Sequence, residues 1–292
     1  MKNTVVMKFG GTSVGSVERI QAVAKRVVSH KIKTGDNIVV VVSAMSGETD
    51  KLISLGKKIS GEVIPDREYH QLVASGEQVS SALTAMAIQN LGVASQSLLG
   101  HQVRIQTKNV FGQNLIDSID TKKFEELFLQ NCIPLVAGFQ GSDENGNITT
   151  LGRGGSDASA VAIAAALGSC PCYIFTDVDG VYTTNPSICK NAKKRKFLSY
   201  EEMLELASSG AKVLQTRSVN LARMHSVPTY VCLSFEEVEG TLIVKEYEGM
   251  EDSVVSGISH RVDESKITLR NLPNNPGTAA KIFSVLAEAK VI

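Results

Sequence analysis

Short β-branched runs alternate along this chain with segments whose apolar residues recur every three or four positions. Val5-Val6-Met7 reads as a strand. A loop rich in Gly and Ser follows, then a helix with Val17, Ile20, Val23, Ala24 and Val27 on one face and Ser16 placed to cap it. Residues 38–42 form a continuous apolar run, the pattern of a strand covered on both faces of a parallel sheet. Further strands are predicted at 93–99, 133–137, 172–176 and 229–233. Helices are predicted at 52–59, 77–91, 122–130, 157–167, 200–207 and 217–225. The 77–91 helix carries Leu83, Met86, Ala87 and Leu91 on one stripe. Asp143-Glu144-Asn145-Gly146-Asn147 reads as a hairpin-type turn between Phe139 and Ile148. This alternation predicts an α/β fold with a mainly parallel sheet and helices on both faces.

The rhythm changes after Gly240-Thr241-Leu242-Ile243-Val244. A polar, Gly-containing stretch from Tyr247 reads as a linker. A strand at 267–270, a turn through Asn271–Gly277 and a helix at 278–289 follow, and Val291-Ile292 reads as the start of a second strand.

Composition narrows the function classes. With 43% apolar residues in 292, the chain is able to bury a sizeable core. A formal net charge of zero gives no electrostatic reason to expect nucleic acid or acidic membranes as partners. The one dense cationic run, Lys193-Lys194-Arg195-Lys196, reads either as a phosphate-binding patch or as a solvated loop. The five cysteines are odd in number, and Cys170-Pro171-Cys172 is neither a thioredoxin-type pair nor a zinc knuckle, so reduced, mostly buried thiols are expected. The five histidines lack metal-ligand spacing. Without a signal-peptide stretch or a membrane-length apolar run, a cytoplasmic protein is expected.

The candidate chemistry lies in loops that follow strands, where parallel sheets bind ligands. Lys8-Phe9-Gly10-Gly11-Thr12-Ser13 combines a cation with glycines that let backbone N–H groups approach phosphate oxygens. Gly152-Arg153-Gly154-Gly155-Ser156-Asp157, opening an Ala-rich helix, is a second such cradle with a cation suited to bidentate anion recognition and a carboxylate. It matches neither the Walker A pattern nor Gly-x-Gly-x-x-Gly. Thr176-Asp177-Val178-Asp179-Gly180-Val181-Tyr182 reads as either a nucleotide loop or a plain Asp-Gly turn. The loop Ser43–Asp50 follows the strongest strand, and Ser75-Gly76-Glu77 places a carboxylate at an expected helix start. Two anion loops with Lys, Arg and Asp favour phosphoryl transfer, which is mostly positioning and charge neutralisation.

As a set and in order, Lys8–Val14, Val42-Ser43-Ala44-Met45 with Thr49-Asp50, Ser75-Gly76-Glu77, Leu151–Asp157, Thr176–Tyr182 and Gly210-Ala211-Lys212-Val213-Leu214 resemble the aspartate kinase branch of the amino-acid kinase family. The resemblance implies an αβα sandwich over residues 1–246, a linker at 247–262 and, at 263–292, an incomplete ACT-type βα regulatory segment. It implies transfer of the γ-phosphoryl of Mg·ATP to the β-carboxylate of L-aspartate, the first step toward lysine, threonine and methionine, with Mg²⁺ carried by ATP rather than by a protein cage. By motif position it makes Lys8 and Asp157 catalytic. Ser43, Thr49, Glu77 and Arg153 become aspartate contacts, Glu77 for the ammonium and Arg153 for the carboxylate. ATP contacts fall to Lys8, Phe9, Gly10, Gly11, Ser13, Gly154, Gly155, Ser156, Thr176, Asp177, Tyr182, Lys212 and Val213. It also implies a homodimer or an ACT-containing partner subunit, and a lysine or threonine effector. Two departures stand out: Asn185-Pro186-Ser187 replaces an Asp-Pro-Arg, leaving Lys190 or the 193–196 run to support ATP, and Gln215-Thr216 replaces a common His-Pro. Kinases for glutamate, acetylglutamate, carbamate or a nucleoside monophosphate, and a silent amino-acid-binding regulator, are the competing readings.

Overall fold

The protein is described from a computed structural model covering residues 2–211, 213–247, 255–260 and 267–289. It divides into two compact units, Met1–His260 and Arg261–Ile292.

The first unit is built on an eight-stranded sheet of order β10-β12-β11-β9-β1-β2-β6-β3. Numbered in chain order, these are β1 (Thr4–Phe9), β2 (Asn37–Val42), β3 (Ser95–Leu98), β6 (Ile133–Ala137), β9 (Cys172–Thr176), β10 (Phe197–Ser199), β11 (Thr229–Leu233) and β12 (Thr241–Val244). All neighbouring pairs are parallel except β11 with β12. The alternation of side chains along β1 and β2 explains their uninterrupted apolar runs. Val6, Val39 and Val41 enter the core on one face, while Val5, Met7, Ile38, Val40 and Val42 enter the core on the other. The first core lies under α4 (Lys122–Leu129), α5 (Gly155–Ala166), α6 (Tyr200–Ser208) and α7 (Thr216–Met224); the second lies under α1 (Val17–Thr34) and α3 (Asp66–Gln89). Ser16 caps α1 as expected, its hydroxyl accepting from the Arg19 N–H at 3.3 Å. Helix α2 (Glu48–Ser60) packs on α3.

Helix α3 departs from the sequence expectation twice. It begins at Asp66, so Glu77 lies in mid-helix rather than at a helix start. Its buried face is also not the apolar stripe: Leu83, Met86 and Leu91 are partly or well exposed, whereas Gly76, Glu77, Ser80, Ser81 and Thr84 are buried. Small residues win that face because the helix approaches the loop after β2 so closely that a Cβ on Gly76 would fall 2.8 Å from the Ala44 Cβ. The hydroxyls find backbone acceptors, Ser80 Oγ on Ser43 O at 2.7 Å and Thr84 Oγ1 on Ser80 O at 2.8 Å.

A second sheet, of order β5-β4-β7-β8, comprises β4 (Gln106–Val110), β5 (Gln113–Ser118), β7 (Gln140–Ser142) and β8 (Ile148–Thr150). The β4–β5 hairpin turns through Phe111 and Gly112, both at positive φ. In the second unit α8 (Thr278–Glu288) forms, but residues 267–270 are not in a strand. A strand is defined by a ladder, and no partner strand is present among the described residues of that unit. Val291 and Ile292, the expected second strand, lie outside the described residues.

Candidate active site

Lys8 is the next residue after Val6 on the α5 side of β1, so strand parity alone points it at that helix. Helix α5 is buried along Gly155–Ala164, which its small residues permit, and its first turn carries Asp157. The Lys8 ammonium and the Asp157 carboxylate form an ion pair, both residues 8% exposed.

The loop after β1 presses on the loop after β2. A Cβ on Gly11 would sit 2.7 Å from Ala44 O, and the Ser46 N–H donates to Gly11 O at 3.2 Å. Gly10 lies beside the cation: its missing Cβ would be 3.6 Å from Lys8 Nζ. The backbone N–H of Ser43 donates to Phe9 O at 3.1 Å, so the end of β2 is held between β1 and α3. Thr49, half-buried, occupies the first turn of α2.

Glu77 reaches the same place from α3. Its Oε1 accepts from the Ala44 N–H at 3.0 Å; its Oε2, fully enclosed, has no hydrogen-bond partner. Burial pushes this carboxyl up to about 7, against the lowering effect of the Ala44 hydrogen bond. An enclosed acceptor with an open lone pair is suited to a ligand ammonium.

The loop entering α5 exposes Gly152 and Arg153, half-buries Gly154 and buries Gly155 and Ser156. Gly154 is left-handed at φ 69°, Gly155 abuts Phe139, and Ser156 abuts Gly138. Phe139, itself at φ 67°, is fixed by its N–H donating to Ser159 Oγ and its carbonyl accepting from the Leu151 N–H.

On the other flank of β1, Thr176 ends β9 and its hydroxyl donates to Asp177, which is exposed. Tyr182 is not free: its hydroxyl donates to Asp179 at 3.0 Å. Lys194 also holds Asp179, at 3.1 Å, and donates to Glu239 O at 2.7 Å. The cationic run is therefore neither simply a solvated loop nor a free patch, since Lys194 is committed to the Asp179 turn. Asn185 Oδ1 accepts from the Ser187 N–H, closing a turn where the family arginine would stand. Val213 is half-buried and packs on the core. Lys212 lies outside the described residues.

The site also holds links that the sequence motifs do not contain. Ser13, expected at a nucleotide, is 1% exposed, and its hydroxyl shares a 2.6 Å hydrogen bond with Ser234 Oγ, which in turn bonds Thr176 O at 2.9 Å. Ser234 thus links the loop after β1 to the end of β9. The only advance signal was its place just past the 229–233 strand. Gln215, marked in the sequence only as a departure from the family pattern, and Arg217, marked only as a helix start, contact the Arg153 loop. Among the described residues no group of three or more His, Cys, Asp or Glu is arranged to hold a metal, and no helix is long and apolar enough to cross a membrane.

An open parallel sheet whose central strand ends in a buried Lys–Asp pair, with a glycine loop on one side and a half-satisfied carboxylate on the other, defines a small-molecule phosphotransferase site. Residues 3–232 match the amino acid kinase family, and the chain belongs to that family. Within it the chain groups with the aspartate kinases. It is 49% identical over 288 residues to the aspartate kinase of Pseudomonas putida, covering 98% of this chain and 70% of the relative. Among solved structures it is similar to an aspartate kinase from Synechocystis, with 44% identity and a TM-score of 0.72 over 83% of this chain and 40% of that one. It is also similar to E. coli aspartokinase III in complex with aspartate and ADP, with 27% identity and a TM-score of 0.72 over 84% of this chain and 65% of that one. The chain thus spans less than two thirds of either solved relative.

Proposed function

We propose that this chain is an aspartate kinase that transfers the γ-phosphoryl of Mg·ATP to the β-carboxylate of L-aspartate. The products are 4-phospho-L-aspartate and ADP. The observation that carries the reading is the buried Lys8–Asp157 pair beside Gly10 and Gly11, with the open oxygen of Glu77 one loop away. Asp157 holds the Lys8 ammonium in place, so it is preorganised against charge on the transferring group. The backbone at Gly10 and Gly11 and the first turn of α5 at Gly154, Gly155 and Ser156 receive the phosphates. Phe9 supports that loop, and Thr176, Asp177, Tyr182, Lys212 and Val213 form the nucleoside side. Ser13 completes the phosphate loop, its hydroxyl paired with Ser234.

Glu77 takes the substrate ammonium, Arg153 its α-carboxylate, and Ser43 and Thr49 the remaining polar edge. The attacking β-carboxylate is already ionised at neutral pH, so no general base is required. One of its oxygens forms the new P–O bond as the bond to the β-phosphate oxygen of ADP breaks. Mg²⁺ enters on the ATP phosphates as part of that substrate and shields their charge. The step opens the route to lysine, threonine and methionine in the cytoplasm. Residues 263–292 are the start of an ACT-type module through which lysine or threonine acts, and the chain works as a homodimer or with an ACT-containing subunit. Trapping the acyl phosphate with hydroxylamine tests the activity. Aspartate hydroxamate is expected, and a higher kcat/KM with glutamate or acetylglutamate overturns the assignment.

A further inference from the structure

Arg153 stands in a loop that its own sequence does not hold still. Gly152, at φ 73°, and Gly154, at φ 69°, flank it in the left-handed region, and Arg153 itself is exposed. Such a hinge leaves a guanidinium spread over many positions unless both ends are pinned.

One short segment pins both. On the entry side, Arg217 at the start of α7 donates through Nη1 to Leu151 O at 2.5 Å and through Nη2 to Asn114 O of β5 at 2.8 Å. On the exit side, the Gln215 side chain lies flat on Gly154: a Cβ there would fall 2.3 Å from Gln215 Cγ. Arg217 is half-buried and spends its donors on two main-chain carbonyls, which fits a group that fixes backbone rather than one that balances charge. The same strand end is held from a third direction. Asn114 Nδ2 donates to Thr150 O at 3.2 Å, and His70 Nδ1 pairs with Thr150 Oγ1 at 2.7 Å. His70 belongs to α3, the helix that carries Glu77.

We infer that Arg217 and Gln215 are positioning residues for Arg153, fixing where the acceptor's carboxylate is gripped relative to Glu77. The inference rests on the role proposed for Arg153. Arg217 bonds Leu151 and Asn114 on the entry side of Arg153, so its loss falls on acceptor recognition, whereas Gln215 packs on Gly154 of the phosphate-receiving turn, so its loss reaches both substrates.

The test is steady-state kinetics with aspartate and ATP varied in turn, on Arg217→Met, Arg217→Lys, Gln215→Ala, Arg153→Ala and the Arg153→Ala/Arg217→Met double variant. Arg217→Met is expected to raise the KM for aspartate about tenfold while the KM for ATP stays within about twofold. Arg217→Lys recovers part of the loss. Gln215→Ala, a change at an exposed side chain that leaves the core untouched, raises the aspartate KM about threefold. The double variant shows no aspartate KM beyond that of Arg153→Ala, because both act through one group. An unchanged aspartate KM in Arg217→Met and Gln215→Ala, equal rises in both KM values of Arg217→Met, or multiplying effects in the double variant overturns the inference. An Arg153→Ala enzyme with a normal aspartate KM removes the role of Arg153 and the inference with it. Aspartate turnover by the unaltered chain in the same assay reads the activity separately.

Discussion

Glu77 spends one carboxylate oxygen on the Ala44 N–H at 3.0 Å and keeps the other enclosed without a partner. The contact joins mid-α3 to the loop after β2. It explains why an acid is tolerated on a buried face that also carries Val73, Ala74 and Gly76.

The Glu77 carboxyl sits near 7 in the folded chain against about 4.5 when unfolded. Between those values the folded state holds a proton the unfolded state has released, so stability falls as pH rises from about 4.5 to about 7 and is level above. Glu77→Gln is expected to remove that loss, on the order of 3 kcal/mol above pH 7, and to melt higher than the parent there. Melting curves of both proteins across this pH range check it. A parent stability that rises with pH relative to Glu77→Gln contradicts it.

Ammonium recognition needs the ionised carboxylate. The KM for aspartate is expected to fall by up to about tenfold as pH rises from about 6 to about 8, and the KM for ATP is not. Glu77→Gln should have a high aspartate KM that no longer follows pH.

Lys8→Met leaves the buried Asp157 without its ion-pair partner, which costs about 3 kcal/mol. Turnover should fall at least about 10²-fold. Adding Asp157→Asn is expected to restore much of the stability and none of the activity. Thermal melts with kinetics on the two single variants and the double separate these effects. A double variant with recovered turnover rules out the charge-neutralising role.

Gly11→Ala places a methyl 2.7 Å from Ala44 O, backbone against backbone. The loops after β1 and β2 must part, so kcat/KM should drop at least about tenfold for both substrates. Gly47→Ala, where a Cβ meets nothing within 4 Å but φ is 80°, controls for strain alone. Equal kinetics in the two variants would count against close loop contact as the cause.

The main sheet was legible because a strand covered on both faces must be apolar at every position, and 38–42 and 133–137 are. Strands β4 and β5 escaped notice because Gln-Thr-Lys-Asn and Gln-Asn sit in a half-solvated sheet with no apolar alternation to read. The buried face of α3 was misjudged for a related reason. Hydropathy records what water dislikes, not which side chains are small enough for a close approach to Ala44. In the site, glycine loops after strands announced Lys8, Gly10, Gly11 and Asp157 as neighbours in function. Ser234 and Arg217 bond main-chain carbonyls brought close only by folding, and no local pattern encodes that.

Strand β1 lies between β2 and β9. Ser43, Thr49 and Glu77 all descend from the β2 flank, whereas Thr176, Asp177 and Tyr182 descend from the β9 flank. On the site assignment proposed above, the phosphoryl group would cross from the β9 flank to the β2 flank, with Lys8 of β1 between them. Apart from the turn at Arg153 and Gly154, which serves both, the proposed donor and acceptor contacts fall on different stretches of polypeptide. The pitch of α3 is then where a change of recipient would spare the nucleotide, since the turn after β2 is pressed against Gly11 of the phosphate loop.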